Sequence, residues 1–284
     1  MDTVLIGSYA RDTGIHPGKD VDVFAKLQSL DITASPTEVF EAVWQVLSTH
    51  YGDKATIQAR SVKIAFSEDG FSVDVVPAVH CGERWAIPAH DRESWGRSDG
   101  RWVETDPQRL AALTTEVNTN VQVGGRGAYV PLVKLVRQTR QHHLGDNKPG
   151  GLYFEMVTFD VVTGVSGNSF AELFAGTLRA IAIRLASAFS SPVMDPALNT
   201  PYNPIPRPDD ISAATQIFSS LAAKADRALQ VGLCEAAVLW REILGDNELG
   251  AVFILPPGCD ETGRDVPSVR ANQGRGSDEA RPFA

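Results

Sequence analysis

Apolar and polar positions alternate near the start of the chain and then change period. "TVLIGS" (Thr3–Ser8) is a short apolar run ending in Gly-Ser, the pattern of a strand entering a turn. "DVDVFAKL" (Asp20–Leu27) alternates, with Val21, Val23 and Ala25 on one face and Asp20, Asp22 and Phe24 on the other. Helical spacing follows in "SPTEVFEAVWQVLSTHYG". Ser35 stands at the N-cap, Pro36 at the first helical position, and Glu38 at capping-box distance. Val39, Phe40, Val43, Trp44 and Leu47 form its apolar stripe, and Gly52 lies just past its end. "ATIQAR", "SVKIAF" and "FSVDVVPAV" read as three more strands, the last two joined by "SEDG", a hairpin turn.

From Asp106 onward the period is helical. "DPQRLAALTTEVNTNV" opens on Asp-Pro, and "GAYVPLVKLVRQTRQHH" follows a glycine-rich break. "GLYFEMVTFDVVTGV" and "NSFAELFAGTLRAIAIRLASAFS" are apolar enough to form a buried helical core. A proline- and asparagine-rich loop, "SPVMDPALNTPYNPIPRPDD", leads to two last helices, "ISAATQIFSSLAAKADRALQ" and "CEAAVLWREILG". The stretch from Pro256 has almost no large apolar residues and is expected to stay flexible. The organisation expected is an α/β unit over 1–105, a helical unit over 106–255 and a flexible tail over 256–284. No internal repeat is present.

The alternation raises a chemical question. Asp20 and Asp22 share a strand face, and two like charges side by side repel unless water, an arginine or lysine, or a divalent cation offsets them. Asp74 adds a third carboxylate, on a strand face shared with Ser72 and opposite Phe71, Val73 and Val75. A carboxylate in so apolar a strand is costly unless paired or bound to a cation. If the two strands are neighbours, three carboxylates converge with no internal cation evident in the sequence. That set suits Mg²⁺, which takes hard oxygen ligands and keeps waters or phosphates. Two such ions about 4 Å apart would activate an attacking hydroxyl and stabilise a leaving pyrophosphate. The Gly7-Ser8 turn would offer backbone N–H groups and a hydroxyl to a phosphate. An Asp-x-Asp pair arises by chance in a chain with this much aspartate; the order of the three features is what carries the reading.

Composition narrows the partners. The 284 residues carry a formal net charge of −9, which weighs against gripping a long nucleic acid but not against nucleotides. No stretch approaches the roughly 20 apolar residues of a membrane span, and the start has no secretory pattern, so no membrane contact is expected. Cys81, Cys234 and Cys259 have no CxxC spacing, which speaks against a disulfide framework or a structural zinc and for a reduced, cytoplasmic protein. His80-Cys81 and His142-His143 read as ordinary polar positions rather than metal ligands.

Gly7-Ser8, Asp20-x-Asp22 and the strand Asp74 together resemble the signature of the DNA polymerase β-like nucleotidyltransferase superfamily. The resemblance is closer to its bacterial cyclic GMP–AMP synthase/DncV-like branch. "GSYARDTGI…KDVDVF", with Tyr9, Arg11 and Thr13, looks like that branch's first motif, and "VDVVPA" like its third-carboxylate strand. "WVETDPQ", "VPLVKLVRQTRQ", "VMDPALNTPYN" and "WREILGDN" resemble later segments, so that the likeness runs from about Thr3 to Gly250. It implies an α/β (α+β) fold: a polymerase β-like core with a mixed sheet, followed by a helical domain that closes a nucleotide cleft. It also implies that Asp20, Asp22 and Asp74 bind two Mg²⁺ ions (Mn²⁺ able to substitute) and that Gly7 and Ser8 meet the triphosphate. Lys134 and Arg137, one helical turn apart, would hold phosphates as point charge and fork.

The activity implied is the joining of NTPs into a cyclic di- or trinucleotide with loss of pyrophosphate, in anti-phage signalling through a downstream cyclic-nucleotide effector protein. The alternatives are transfer of a nucleotide to a protein, tRNA or antibiotic, and a catalytically silent nucleotide sensor. Two departures stand out. The family has a long spine helix ahead of the Gly-Ser strand, where only a few residues stand here. The zinc insertion of some relatives has no counterpart among the sparse cysteines.

Overall fold

A computed structural model of the chain describes residues 2–18 and 20–266. Strand β1 (Asp2–Ile6) runs into the single turn α1 (Gly7–Ala10), then β2 (Asp20–Asp31) and helix α2 (Pro36–Tyr51). The Ser35 hydroxyl accepts from the Glu38 N–H, and Gly52 closes the helix, as the capping pattern predicts. Strands β3 (Ala55–Ile57), β4 (Val62–Phe66), β5 (Phe71–Cys81), β6 (Arg84–Pro88) and β7 (Trp102–Thr105) complete a mixed seven-stranded sheet, ordered β1-β2-β5-β4-β3 with β6 between β5 and β7. Only the β2–β5 pair is parallel. "SEDG" turns β4 into β5, with Phe66 opposite Phe71. Strands β6 and β7 were not expected from the sequence, since their runs are short and broken by Arg84, Glu104 and Pro88.

Helices α3 (Pro107–Asn120) and α4 (Tyr129–Leu144) flank a small hairpin, β8 (Gln122–Val123) and β9 (Arg126–Gly127). Next come α5 (Gly151–Val162), α6 (Phe170–Ala186), the hairpin β10 (Met194–Asp195) and β11 (Thr200–Pro201), α7 (Pro208–Ala228), α8 (Leu233–Leu244), and the hairpin β12 (Asp246–Asn247) and β13 (Gly250–Ala251). One apolar core joins α3 through α8, with Leu132 and Val136 of α4, Phe154 of α5, Ile181 of α6, Phe218 of α7 and Ile243 of α8 fully buried. Each such side chain contributes roughly 1.5–3 kcal/mol by leaving water. Smaller clusters pack α2 on the sheet, around Phe40, Val62 and Trp95, around Ala25 and Ile64, and around Val39 and Val79.

The reading of unpaired cysteines needs correction. Cys234, at the start of α8, is joined to Cys259 in a disulfide, and Cys81 alone is free. Their separation of 25 residues carries no recognisable spacing; the turn after β13 is what brings them together. Pro256–Val266, at the head of the stretch expected to be flexible, turns back on α8 with Cys259 bridging Asp265. The rest of that stretch lies outside the described residues.

Candidate active site

The parallel β2–β5 pair sets Asp20 beside Ser72 and Asp22 beside Asp74. Period-two alternation therefore puts all three aspartates on one face of two adjacent central strands. β1 adds the turn: Ile6 pairs with Asp22, so the next residue, Gly7, lies directly over that carboxylate. A Cβ on Gly7 would collide with Asp22 Oδ2, and its φ of +69° favours glycine as well. The close approach of backbone to carboxylate is the reason this position is glycine.

The compensation of the three charges is uneven. Asp20 accepts hydrogen bonds from Ser72 and from Lys63 Nζ at 3.2 Å, and the Ser72 bond, with Lys63, holds its carboxyl below the usual range. Lys63 lies on β4 directly across from Asp74. The sequence showed no internal cation, and Lys63 corrects that: it sits in an alternating strand and gives no signal until the register is known. Among the described residues, Asp22 and Asp74 have no comparable partner. Burial, then the charges of Asp74 and Asp20, push Asp22 up to about 6, with Arg11 and Arg137 drawing it partly back. Burial also raises Asp74, against the pull of Lys63. Asp74 Oδ1 is buried and accepts no hydrogen bond from the described residues. An orphaned carboxylate oxygen beside a second uncompensated carboxylate fits a divalent cation, and the all-oxygen donor set suits a hard one.

Two cavities open on either side of the start of α5, and of the three aspartates Asp20 lines the first. The first, about 640 Å³, is lined by Ser8, the loop Gly14–Gly18, Asp20, Arg137 and Gln141, with Asp246–Glu248 on its far wall. The second, about 420 Å³, is lined by Arg60, Trp102 and Thr105 from the sheet side and by Asp195, Thr200 and Tyr202 from the helical side. Gly151 faces the first and Leu152 the second, so the start of α5 forms the partition. Of the expected phosphate holders, Ser8 and Arg137 line the first cavity. Lys134 does not; its Nζ is 2.7 Å from Asp12 Oδ1 at the surface. Arg60, in the turn between β3 and β4, is a cation that sequence reasoning missed. Burial lowers its pKa, while the charges of Tyr202 and Asp22 raise it. A lone arginine in a turn is indistinguishable from a solvated one without the fold.

His80 and His143 serve packing and structure. His80 lies 4.2 Å from the Trp85 ring, and His143 Nε2 is 3.0 Å from the Ile243 carbonyl. Among the described residues, the one group of three ligand-type atoms within 4.8 Å is Cys234, Cys259 and Asp265, where the two sulfurs are already joined to each other. The three aspartates are less tightly gathered, with Asp20 turned toward Ser72 and Lys63.

Residues 1–118 match the Second Messenger Oligonucleotide or Dinucleotide Synthetase domain, a span that contains Gly7, Ser8 and all three aspartates. A cyclic AMP-AMP-AMP synthase from Acinetobacter is 28% identical over 262 residues, covering 86% of this chain and 72% of that protein. The chain is a nucleotidyltransferase similar to these second-messenger synthetases. Enzymes of this family make cyclic oligonucleotide second messengers from NTPs, and this nucleotidyltransferase has their fold. CdnC of E. coli MS115-1, solved with ATP, superposes with a TM-score of 0.65 at 14% identity over 87% of this chain and 83% of that one. CdnC has also been solved in complex with a HORMA protein. DncV of Vibrio cholerae, a cyclic AMP-GMP synthase solved with the linear intermediate pppA(3′,5′)pG, gives 0.61 at 13% identity over 86% and 68%. The mixed sheet followed by helices is the architecture these structures share with the chain.

Proposed function

We propose that this nucleotidyltransferase binds two NTPs, one in each cavity, and joins them into a cyclic di- or trinucleotide, with Asp20, Asp22 and Asp74 holding Mg²⁺ ions between them. The observation that carries the reading is the cluster of Asp20, Asp22 and Asp74 on one sheet face, with Asp20 on the wall of the first cavity and the α5 start separating that cavity from the second. Bound divalent ions would supply charge neutralisation and polarise the phosphoryl and hydroxyl oxygens. The protein's own groups would do the rest. Ser8 donates its hydroxyl to the triphosphate and Arg137 its guanidinium fork, while Lys134 adds charge from the rim. Asp74, with a free oxygen and a raised pKa, takes the proton as a 2′- or 3′-hydroxyl attacks the α-phosphorus of the other nucleotide. The α-phosphorus–oxygen bond breaks and pyrophosphate leaves. A second attack, after the linear intermediate turns round, closes the ring.

The division of labour would follow the two cores: residues 1–105 carry the carboxylates, and the helical part over 106–255 closes on the nucleotides. Arg60 and Tyr202 offer the second cavity a cation and a ring, groups that stack on or bond a nucleobase. The supply of NTPs puts the proposed reaction in the cytoplasm. Its product would act on a downstream effector in anti-phage signalling, a role that fits the family, and a protein partner of the kind seated on CdnC could regulate it. The test is pyrophosphate release with Mg²⁺ or Mn²⁺ from mixed NTPs. Asp22→Asn and Asp74→Asn are expected to lower the rate at least about 100-fold, consistent with removal of a metal ligand or base. A rate unchanged in both variants would remove the carboxylates from the reaction.

A further inference from the structure

Glu155 is a fully buried carboxylate in the middle of an apolar helix, and its side-chain partners come from the segment after the Gly7-Ser8 turn and from α4. Its Oε1 accepts from Arg11 Nε at 2.6 Å; its Oε2 accepts from Arg11 at 3.2 Å and from the Thr13 hydroxyl at 3.2 Å. Arg137 stands 3.7 Å from the same Oε2. Arg11 and Thr13, both buried, follow the Gly7-Ser8 turn, and Thr13 is tied back to it by its backbone N–H, which donates to the Ser8 carbonyl at 2.9 Å. Arg137 comes from α4 and rests against Gly151 at the start of α5. Tyr129 of α4 donates to the Glu155 backbone carbonyl at 3.4 Å, which fixes the helix that carries the carboxylate.

An isolated charge in such a place would be ruinous, so these donors are required. A single buried pair would satisfy that requirement. Here one carboxylate spans three donors on two separate segments, the loop after the turn and α4. Those segments carry Ser8 and Arg137, which line the same cavity. The 3.7 Å separation also leaves Arg137 short of a closed ion pair, with its fork free to meet an incoming anion.

We propose that Glu155 is the positioning residue of the cleft: it pins the Gly7-Ser8 turn and Arg137 at a fixed separation, so that both meet one triphosphate. The proposal rests on the phosphate roles given above to Ser8 and Arg137. Glu155 touches no substrate; it acts through Arg11, Thr13 and Arg137.

Three variants separate positioning from mere stability. Glu155→Gln removes the charge and keeps the shape. The double variant Arg11→Met with Glu155→Leu replaces the buried pair by apolar groups, an exchange that commonly preserves folding. Ile181→Ala weakens the same helical core away from the cluster. Amide hydrogen exchange over residues 7–18 and ATP affinity with Mg²⁺ are read for each, beside the thermal midpoint. The expected result is exchange and ATP Kd raised about tenfold or more in both Glu155 variants, even where the double variant regains its midpoint. Ile181→Ala should lose midpoint with Kd within twofold of the parent. Exchange and Kd unchanged in both Glu155 variants would overturn the proposal, as would an equal loss of affinity in Ile181→Ala. If the parent protein binds no ATP, the reading of the cavity fails, while the exchange measurement still decides whether Glu155 pins the turn.

Discussion

Gly7 has no room for a side chain, because the Asp22 carboxylate occupies the space a Cβ would take. Gly7→Ala should therefore displace either the turn or Asp22. We expect NTP turnover to fall at least about 100-fold while far-ultraviolet circular dichroism is retained, since the strain is confined to one turn. Asp22 carries a second prediction. Its carboxyl, raised from 3.8 to about 6, keeps in the metal-free native state a proton that the unfolded chain has already released. Between those values the native state binds more protons, so stability falls as pH rises from about 4 to about 6. Asp22→Asn should flatten that slope in denaturant titrations. Divalent binding needs the carboxylate and runs the other way, so stabilisation by Mn²⁺ should grow as pH rises through about 6 and vanish in Asp22→Asn.

At the level of elements, α4 places two cations one turn apart in different surroundings. Arg137 is half-buried at the cavity wall, and Lys134 is paired with Asp12 near solvent. Arg137→Ala should weaken ATP binding about tenfold or more, while Lys134→Ala should cost no more than a few-fold, the usual worth of an exposed pair. Equal losses in the two would show that α4 presents its whole face to the nucleotide. The same elements explain what could be read in advance. Helix α2 announced itself through Ser35, Pro36 and Gly52, and the carboxylate strands through alternation, because both signals are local. The parallel pairing that brings Asp22 beside Asp74 is not local, and neither is the opposition of Lys63 to Asp74. Glu155 gives no signal of its own in an apolar helical run, since its three partners lie 18 or more than 140 residues away in the chain. Arg60 was invisible for the same reason.

The whole molecule consists of a sheet with its own small cores and a helical bundle with a larger one, joined at the cleft by Glu155 and its arginine partners. Away from the cleft, the Cys234–Cys259 disulfide ties the chain after β13 to α8. Closing a loop of that size contributes about 3 kcal/mol in the chain-entropy account. Dithiothreitol or Cys259→Ser should thus lower the thermal midpoint by roughly 5–10 °C without changing turnover, because neither sulfur lines a cavity beside the aspartates. A change in turnover would tie the C-terminal segment to the cleft. Whether Asp20, Asp22 and Asp74 serve the joining of two nucleotides is read from the product. α-³²P-labelled NTPs, mixed and singly, are incubated with the protein and Mg²⁺ or Mn²⁺, treated with phosphatase and separated by chromatography, beside Asp20→Ala/Asp22→Ala. A small phosphatase-resistant product that vanishes in the double variant is the predicted result. Label on a macromolecule, or no product from folded protein that binds NTP and metal, would contradict it.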